Sequence, residues 1–190
     1  MNISKVCVVG SGTMGNGIAQ VCAQCGLQVA LCDISQAMLD KAVKTIGGSV
    51  AKFAQKGIVK ESAESIMGRI KTSTSYEGVT DADLVIEAVF EKIEVKHEVL
   101  KKISPMVGPQ TVIASNTSAI PISQLGAASV CPERFLGLHF FNPVPMMQAV
   151  EVIKGIATSD EVFQFGGDFI RFIGKEPIMV HKDIAGFILN

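Results

Sequence analysis

The stretch Lys5-Val6-Cys7-Val8-Val9-Gly10-Ser11-Gly12-Thr13-Met14-Gly15-Asn16-Gly17-Ile18-Ala19 places an apolar run, a glycine-rich turn and a second apolar run in direct succession. Branched apolar residues dominate residues 3–9, which is typical of a strand buried on both faces of a parallel sheet. The turn has the spacing G-x-G-x-x-G, in which Gly10 permits the tight turn and Gly12 leaves room for a phosphate against the backbone. Gly15 allows the following helix to pack closely on the strand, and the free N–H groups at a helix start attract an anion. The stretch therefore predicts a strand, a turn and a helix that together hold a pyrophosphate.

The G-x-G-x-x-G spacing alone is weak evidence, since a chain with 18 glycines can produce it by chance. Its surroundings favour a dinucleotide site over a purely structural glycine turn. A second predicted strand, residues 28–33, ends in Asp33, which lies 18 residues after Gly15. An acidic residue at about this distance binds the ribose hydroxyls of NAD. The predicted cofactor is NAD, contacted by Asp33 and by the residues of the turn, Gly10, Ser11, Gly12, Thr13, Met14 and Gly15.

Composition limits the classes of protein that the chain can belong to. With 190 residues, 48% of them hydrophobic, it can bury a full core and has the length of about one domain. The formal net charge of -1 supplies no broad basic surface, so no nucleic-acid partner is expected. The long uncharged run 103–132 contains four prolines and many polar residues, which excludes it as a membrane helix. No basic segment precedes an apolar one at the start of the chain, so no secretory signal is expected.

The five cysteines are an odd number, scattered over predicted strands and helices, and this favours a reducing, cytoplasmic compartment over a disulfide framework. Cys22 and Cys25 form a C-x-x-C pair inside the first predicted helix. A redox or zinc role is the alternative to core packing, but no second pair supplies further ligands. Core packing is the preferred interpretation, and no metal site is predicted.

The segment after the second predicted strand is longer than one crossover requires. Ser35 is the expected N-cap of a helix, and several lysines decorate the segment up to about Arg69. Gly47-Gly48 is predicted to interrupt or bend it, giving two helices that form an arm off the sheet. The lysines of this arm either bind a ligand or solvate an exposed face.

Strands and helices alternate along the rest of the chain. Strands are predicted at 70–75, 84–89, 111–115 and 135–140. An amphipathic helix is predicted at 91–103, between the second and third of these strands. Further segments at 150–153, 160–173 and 177–181 are predicted to add a strand, a helix and a strand at the sheet edge. The pattern predicts an α/β fold, a doubly wound and mostly parallel sheet of the Rossmann type, with the helical arm after the second strand.

Polar clusters follow the fourth, fifth and sixth predicted strands, at residues 87–91, 115–118 and 139–143, on the ligand-binding edge of such a sheet. His139 is the one of three histidines at a strand end facing this crevice. An enzyme that oxidises an alcohol needs a group that accepts the hydroxyl proton, and imidazole titrates in the right range. Glu151 on the next strand is expected to orient the imidazole ring. The alternative for Glu151 is that it faces solvent from an edge strand.

Six segments, in chain order, extend these patterns: Gly10 to Gly17, Val85-Ile86-Glu87-Ala88-Val89-Phe90-Glu91, Ala114-Ser115-Asn116-Thr117-Ser118, His139-Phe140-Phe141-Asn142-Pro143-Val144-Pro145, Val150-Glu151-Val152-Ile153 and Gly186-Phe187-Ile188-Leu189-Asn190. Together they resemble the L-3-hydroxyacyl-CoA dehydrogenase family, and within it the bacterial 3-hydroxybutyryl-CoA dehydrogenases. The resemblance covers essentially the whole chain.

The resemblance implies a role for each matching residue. His139 would be the catalytic base and Glu151 its partner, while Ser118 and Asn190 would hold the hydroxyl and thioester end of the substrate. Contacts to NAD are implied for Asp33, Glu91, Lys96, Ser118 and Asn142. Contacts to coenzyme A on the arm are implied for Ser49 and Lys56, with Lys52 a looser candidate.

The implied activity is reversible, NAD-dependent oxidation of (S)-3-hydroxyacyl-CoA, such as 3-hydroxybutyryl-CoA, to 3-oxoacyl-CoA in fatty-acid or butyrate metabolism. Residues 1–185 would form the NAD-binding domain, and 186–190 would begin a linker helix to a helical domain through which the full-length protein forms a homodimer. The helical domain that follows the terminal G-F-I-x-N motif in the family is expected to be absent from these 190 residues. Two alternatives stay open: a relative that acts on a free polyol or sugar acid, and a non-catalytic dinucleotide-binding or structural module.

Overall fold

The computed structural model describes residues 3–184 and 186–187, which fold around one eight-stranded sheet. The strands are β1 (Lys5–Val9), β2 (Gln28–Cys32), β3 (Ile70–Ser73), β4 (Leu84–Glu87), β5 (Val112–Ser115), β6 (Phe135–Phe140), β7 (Ala149–Ile153) and β8 (Glu176–Val180). Their order in the sheet is β3-β2-β1-β4-β5-β6-β7-β8. The helices are α1 (Thr13–Gln24), α2 (Gln36–Gln55), α3 (Ala63–Met67), α4 (Ile93–Ile103), α5 (Ile122–Gly126) and α6 (Asp160–Phe172).

The first six strands are parallel, β7 runs antiparallel to β6, and β8 is parallel to β7. The strand order reverses between β1 and β4, which is the switch point where ligands bind in open α/β sheets. One apolar core lies between the sheet and α1, α2 and α6, and a second lies between the opposite face and α4 and α5. The predicted doubly wound, mostly parallel sheet is confirmed.

The glycine turn depends on two positions that exclude a side chain. Gly10 has φ +103°, and a Cβ there would lie 2.6 Å from the carbonyl oxygen of Ala88. A Cβ on Gly15 would lie 1.7 Å from the carbonyl oxygen of Gly10. Only glycine at these positions lets α1 begin directly over the end of β1.

The arm contains two helices as predicted, but the predicted interruption at Gly47-Gly48 is wrong. Helix α2 runs unbroken through both glycines, and the break comes after Gln55, with Gly57 at φ +68°. Ser35 caps α2 through its Oγ, which accepts a hydrogen bond from the Met38 N–H. A buried apolar stripe outweighs the cost of about 1 kcal/mol that each glycine imposes on a helix. The stripe consists of Leu39, Ala42, Ile46 and Val50.

Predicted element ends differ from the observed ones by up to two residues. The strand predicted at 84–89 ends at Glu87, because the Val89 N–H donates to Oε1 of Glu87 rather than to a neighbouring strand. None of the helices in the described part of the chain has the length and apolar character needed to cross a membrane. The start of a helix predicted at 186–190 falls largely on residues 188–190, which lie outside the described residues.

Candidate active site

A cavity of about 820 Å³ opens at the carboxyl edge of the sheet, over the switch point. Its walls come from the glycine turn, from the ends of β2 and β4, and from the loops after β5 and β6. The predicted site residues that line it are Gly10, Gly12, Thr13, Met14, Asp33, Glu91, Ser118, His139 and Asn142. The fold therefore brings together residues more than 100 positions apart in the chain.

The turn fits a bound pyrophosphate. A Cβ built on Gly12 meets nothing within 4 Å, so the backbone faces open cavity. In helix α1, all of whose residues are described, the N-cap Gly12 has no side chain to cap the first N–H groups, and the first turn contains no acidic residue. Its first N–H groups and its positive end therefore remain available to an anion. These are the features that the pyrophosphate of NAD requires.

Asp33 is oriented by Ser11 at the rim of the same cavity. Its Oδ2 accepts hydrogen bonds from Ser11 N and Ser11 Oγ, both at 2.8 Å, and its Oδ1 accepts one from Ser35 N at 3.0 Å. Ser11 is only 2% exposed, so it acts by holding the carboxylate in place. Tyr76, which the sequence did not single out, lines the cavity beside Asp33. Burial and then the Asp33 charge raise the pKa of Tyr76.

His139 and Glu151 form a buried pair across the antiparallel strands β6 and β7, where they lie directly opposite each other. His139 Nδ1 lies 2.7 Å from Glu151 Oε2, and the two residues are 6% and 0% exposed. The alternative that Glu151 faces solvent is therefore wrong. Because an ionised carboxylate only accepts hydrogen bonds, Nδ1 donates, and Nε2 keeps the lone pair that accepts a proton.

Two aromatic rings flank the His139 imidazole. The ring centroids of Phe141 and Phe187 lie 4.5 Å and 5.7 Å from that of His139. The segment that carries Phe187 is tied down by Asp183, whose carboxylate accepts the N–H groups of Ile122 and Ser123 at 2.7 Å and 2.6 Å. These contacts restrict the rotation of the imidazole ring and keep water from its faces.

Lys96 lies behind the cavity wall. Its side chain is fully buried, and its Nζ lies 2.8 Å from Glu87 Oε1 and 3.2 Å from Glu91 Oε2. Glu91 itself lines the cavity and accepts the Ser118 N–H at 2.8 Å. Burial raises the pKa of Glu91, but the Thr117 hydrogen bond and the Lys96 charge outweigh it and hold that pKa below its usual range. Lys96 thus reaches the cavity through Glu91, and its direct contact with NAD stays a prediction.

Asn116 is a further site residue that sequence reasoning placed in a polar cluster but did not select. It lines the cavity, and its Oδ1 accepts the Phe140 N–H at 2.9 Å, next to His139. Its position directly after a buried strand was the available signal. Ser118 and Asn142, two of the predicted site residues, line the cavity. Asn190, a third, lies outside the described residues.

The three residues implied for coenzyme A lie at the carboxyl end of α2 and do not line the cavity: Ser49 and Lys52 belong to the helix, and Lys56 is its C-cap. Ser49, Lys52 and Lys56 follow one another at spacings of three and four, which places them on one face of the helix end. The side chains of Lys52 and Lys56 are exposed. Among the described residues, no cluster of His, Cys, Asp and Glu has the arrangement of a metal site. Cys22 packs in the core, and burial raises the pKa of its thiol.

Comparison with known proteins gives consistent results. The model of the family "3-hydroxyacyl-CoA dehydrogenase, NAD binding domain" matches residues 5–184. The 3-hydroxybutyryl-CoA dehydrogenase of Bradyrhizobium diazoefficiens is 42% identical over 99% of this chain and 64% of its own length. The mitochondrial hydroxyacyl-coenzyme A dehydrogenase of Homo sapiens is 41% identical over 99% of this chain and 62% of its own length.

Among solved structures, (S)-3-hydroxybutyryl-CoA dehydrogenase from Ralstonia eutropha superposes with a TM-score of 0.95 at 45% identity, covering 100% of this chain and 67% of that chain. The chain spans slightly less than two thirds of the length of the first curated relatives that it matches.

Proposed function

The chain belongs to the 3-hydroxyacyl-CoA dehydrogenase family through its NAD-binding domain, and on that premise we propose that the protein catalyses the reversible oxidation of (S)-3-hydroxyacyl-CoA to 3-oxoacyl-CoA. The proposed substrate is 3-hydroxybutyryl-CoA, and the proposed setting is fatty-acid or butyrate metabolism. One observation carries the proposal: His139, which is paired with the buried Glu151, lines the same cavity as the glycine turn. A proton acceptor and a dinucleotide cradle thus face one space.

His139 takes the proton of the substrate hydroxyl on Nε2 as the carbon–hydrogen bond breaks. When bound, NAD supplies the acceptor for the hydride that leaves the carbon. Glu151 stabilises the resulting imidazolium through the hydrogen bond to Nδ1. In the reverse direction the imidazolium returns its proton to the oxygen of the 3-oxo group.

The remaining side chains bind and orient. Ser118 and Asn190 are assigned to the hydroxyl and thioester end of the substrate, and Asp33, Glu91 and Asn142 to NAD. The carboxyl end of α2, with Ser49 and Lys52 on the helix and Lys56 at its C-cap, is assigned to coenzyme A, because two exposed ammonium groups suit its phosphates.

The proposal also covers the domain bounds, the dimerisation and the cellular location of the protein. Residues 1–185 are assigned to the NAD-binding domain and 186–190 to the start of a linker helix. Dimerisation is assigned to a helical domain like the one the family carries. A cytoplasmic location is supported by the five cysteines, all of them free thiols.

The test is NADH oxidation by the full-length protein with 3-oxoacyl-CoA substrates of increasing chain length. We expect turnover with acetoacetyl-CoA and little with free acetoacetate at the same concentration. His139→Gln is expected to lower kcat by about 10²–10⁴-fold, the range of general acid–base catalysis. Faster turnover of a free polyol or sugar acid would favour that rival substrate class. NADH binding without turnover of any substrate would favour the non-catalytic module.

A further inference from the structure

Three charged side chains meet at the carboxyl end of β4: Glu87, Lys96 and Glu91. The side chains of Glu87 and Lys96 are both 0% exposed, while that of Glu91 is 38% exposed. Lys96 Nζ pairs with both carboxylates, at 2.8 Å and 3.2 Å. With two carboxylates and one ammonium group, this cluster carries one surplus negative charge. One carboxylate suffices to neutralise the lysine, so the second requires an explanation.

The cluster is held rigidly by further hydrogen bonds. Glu87 Oε1 also accepts the Val89 N–H at 2.8 Å, and its Oε2 accepts Ser115 Oγ at 2.5 Å. Glu91 Oε1 accepts hydrogen bonds from Thr117 Oγ1 and, at 2.8 Å, from Ser118 N. Every carboxylate oxygen therefore has a donor, and the charges cannot reorient when a ligand binds. Fixed charges of this kind act on a ligand without a reorganisation cost.

Glu91 is the member of the cluster through which this charge reaches the cavity. It lines the cavity that His139 also lines, and it accepts the Ser118 N–H there. For hydride transfer, the nicotinamide ring must lie against the substrate carbon whose hydroxyl contacts His139. The ring of NAD⁺ carries a positive charge that is lost when it accepts hydride. A fixed negative charge on the lining of this cavity therefore favours the oxidised form of the cofactor.

We propose that Glu87 is a specificity-determining residue that, through Lys96 and Glu91, raises the affinity of the site for NAD⁺ relative to NADH. The inference rests on the proposed function, since it assumes that the nicotinamide lies beside His139. The Glu87 side chain is fully buried, and Glu87 is not one of the residues that line the cavity. It acts by adding the carboxylate that leaves Glu91 with an uncompensated charge.

The experiment varies the charge of the cluster in steps and measures the dissociation constants of NAD⁺ and NADH for the full-length protein. Glu87→Gln brings the cluster charge from minus one to zero, Lys96→Gln brings it to minus two, and the double variant returns it to minus one. Glu87→Gln is expected to weaken NAD⁺ binding about three- to tenfold and NADH binding less than about twofold. Lys96→Gln is expected to shift the NAD⁺ to NADH affinity ratio in the opposite direction.

The double variant is the sharpest test, because it removes the most contacts and yet restores the charge. Its affinity ratio is expected to lie within about twofold of that of the unmodified protein. Ser115→Ala is the matched control, since it removes a partner of Glu87 without changing a charge, and it should leave the ratio unchanged. Equal weakening of both nucleotides by Glu87→Gln, or a double variant with a ratio further from normal than the single variant, would overturn the proposal. Failure of the unmodified protein to bind either nucleotide would instead overturn the proposed function.

Discussion

Carboxylates at the two ends of β4, Asp83 before the strand and Glu87 at its end, have different functions. Asp83 precedes the strand, at the amino edge of the sheet. Its Oδ2 accepts the N–H groups of Ser4 and Lys5 at 2.8 Å and 2.9 Å, together with Ser4 Oγ at 3.1 Å. At the same edge, Arg134 donates to the carbonyl oxygens of Gly108 and Thr111. These side chains satisfy backbone groups at strand ends and thereby stabilise the fold.

Glu87, which ends β4 at the carboxyl edge, binds one backbone N–H and otherwise contacts side chains. One of those side chains, Lys96, also contacts Glu91, which lines the cavity. In the same way, Glu151 contacts His139, which lines the cavity. The two ends of β4 therefore differ in what their carboxylates stabilise. Asp83 satisfies backbone groups and supports the sheet, whereas Glu87 pairs with a charged side chain that contacts the cavity residue Glu91.

The largest effect is expected from Glu151→Gln at the carboxyl edge. The variant loses the charge that stabilises the His139 imidazolium, so kcat should fall by about 10²–10⁴-fold. NADH affinity should stay within about twofold of normal, because the glycine turn and Asp33 are untouched. Steady-state kinetics and fluorescence titration measure the two quantities. Loss of NADH binding with normal kcat would show that Glu151 supports the fold of the cofactor site instead.

A smaller effect is expected from Asp33→Ala at the rim of the cavity. Asp33 is held by Ser11 and Ser35 in position to accept the ribose hydroxyls, so its loss should weaken NAD binding by about 1–3 kcal/mol. The unmodified protein should bind NAD more tightly than NADP, since the carboxylate repels a 2′-phosphate. Titration with both nucleotides measures this difference. Equal affinities would contradict the assignment of Asp33.

The smallest effect is expected from Asp83→Asn at the amino edge, and it should appear in stability alone. Burial raises the pKa of Asp83, but the N–H groups of Ser4 and Lys5 outweigh it and hold that pKa below its usual range. Because the folded-state pKa is depressed, this contribution is present above the ordinary pKa of about 3.9 and is lost as pH falls below it. The variant should lose about 0.5–1.5 kcal/mol of unfolding free energy at neutral pH, and less in acid.

Denaturant unfolding at several pH values measures this contribution, and NADH titration provides the control. A change in cofactor affinity in Asp83→Asn would contradict the claim that the amino edge of the sheet affects stability alone.

Local features of the fold could be predicted from the sequence, because they depend on neighbouring residues. The glycine spacing from Gly10 to Gly15 and the apolar runs were enough for the strand, turn and helix. Helix α2 shows the limit of local reasoning, since the burial of its apolar stripe outweighed the glycine pair Gly47-Gly48.

The carboxyl edge could be predicted in part. The pairing of His139 with Glu151 could be predicted, because the two residues lie on strands that follow each other in the sequence and pair in the sheet. The buried position of Lys96 and the hydrogen bond from Phe140 to Asn116 depend on how separate loops pack, which no spacing encodes. Asp183 reaches α5 across about 60 residues, and such a contact leaves no periodic signal in the sequence.

The most direct test of the central claim is the pH dependence of kcat in both directions of the full-length enzyme. If His139 moves the proton, oxidation needs the neutral imidazole and reduction needs the imidazolium. Oxidation of the 3-hydroxyacyl substrate should therefore weaken as pH falls, and reduction of the 3-oxoacyl substrate should weaken as pH rises through the same range. Both dependences should disappear in the residual activity of His139→Gln. Profiles that bend in the same direction, or mirrored profiles that persist in His139→Gln, would contradict the account.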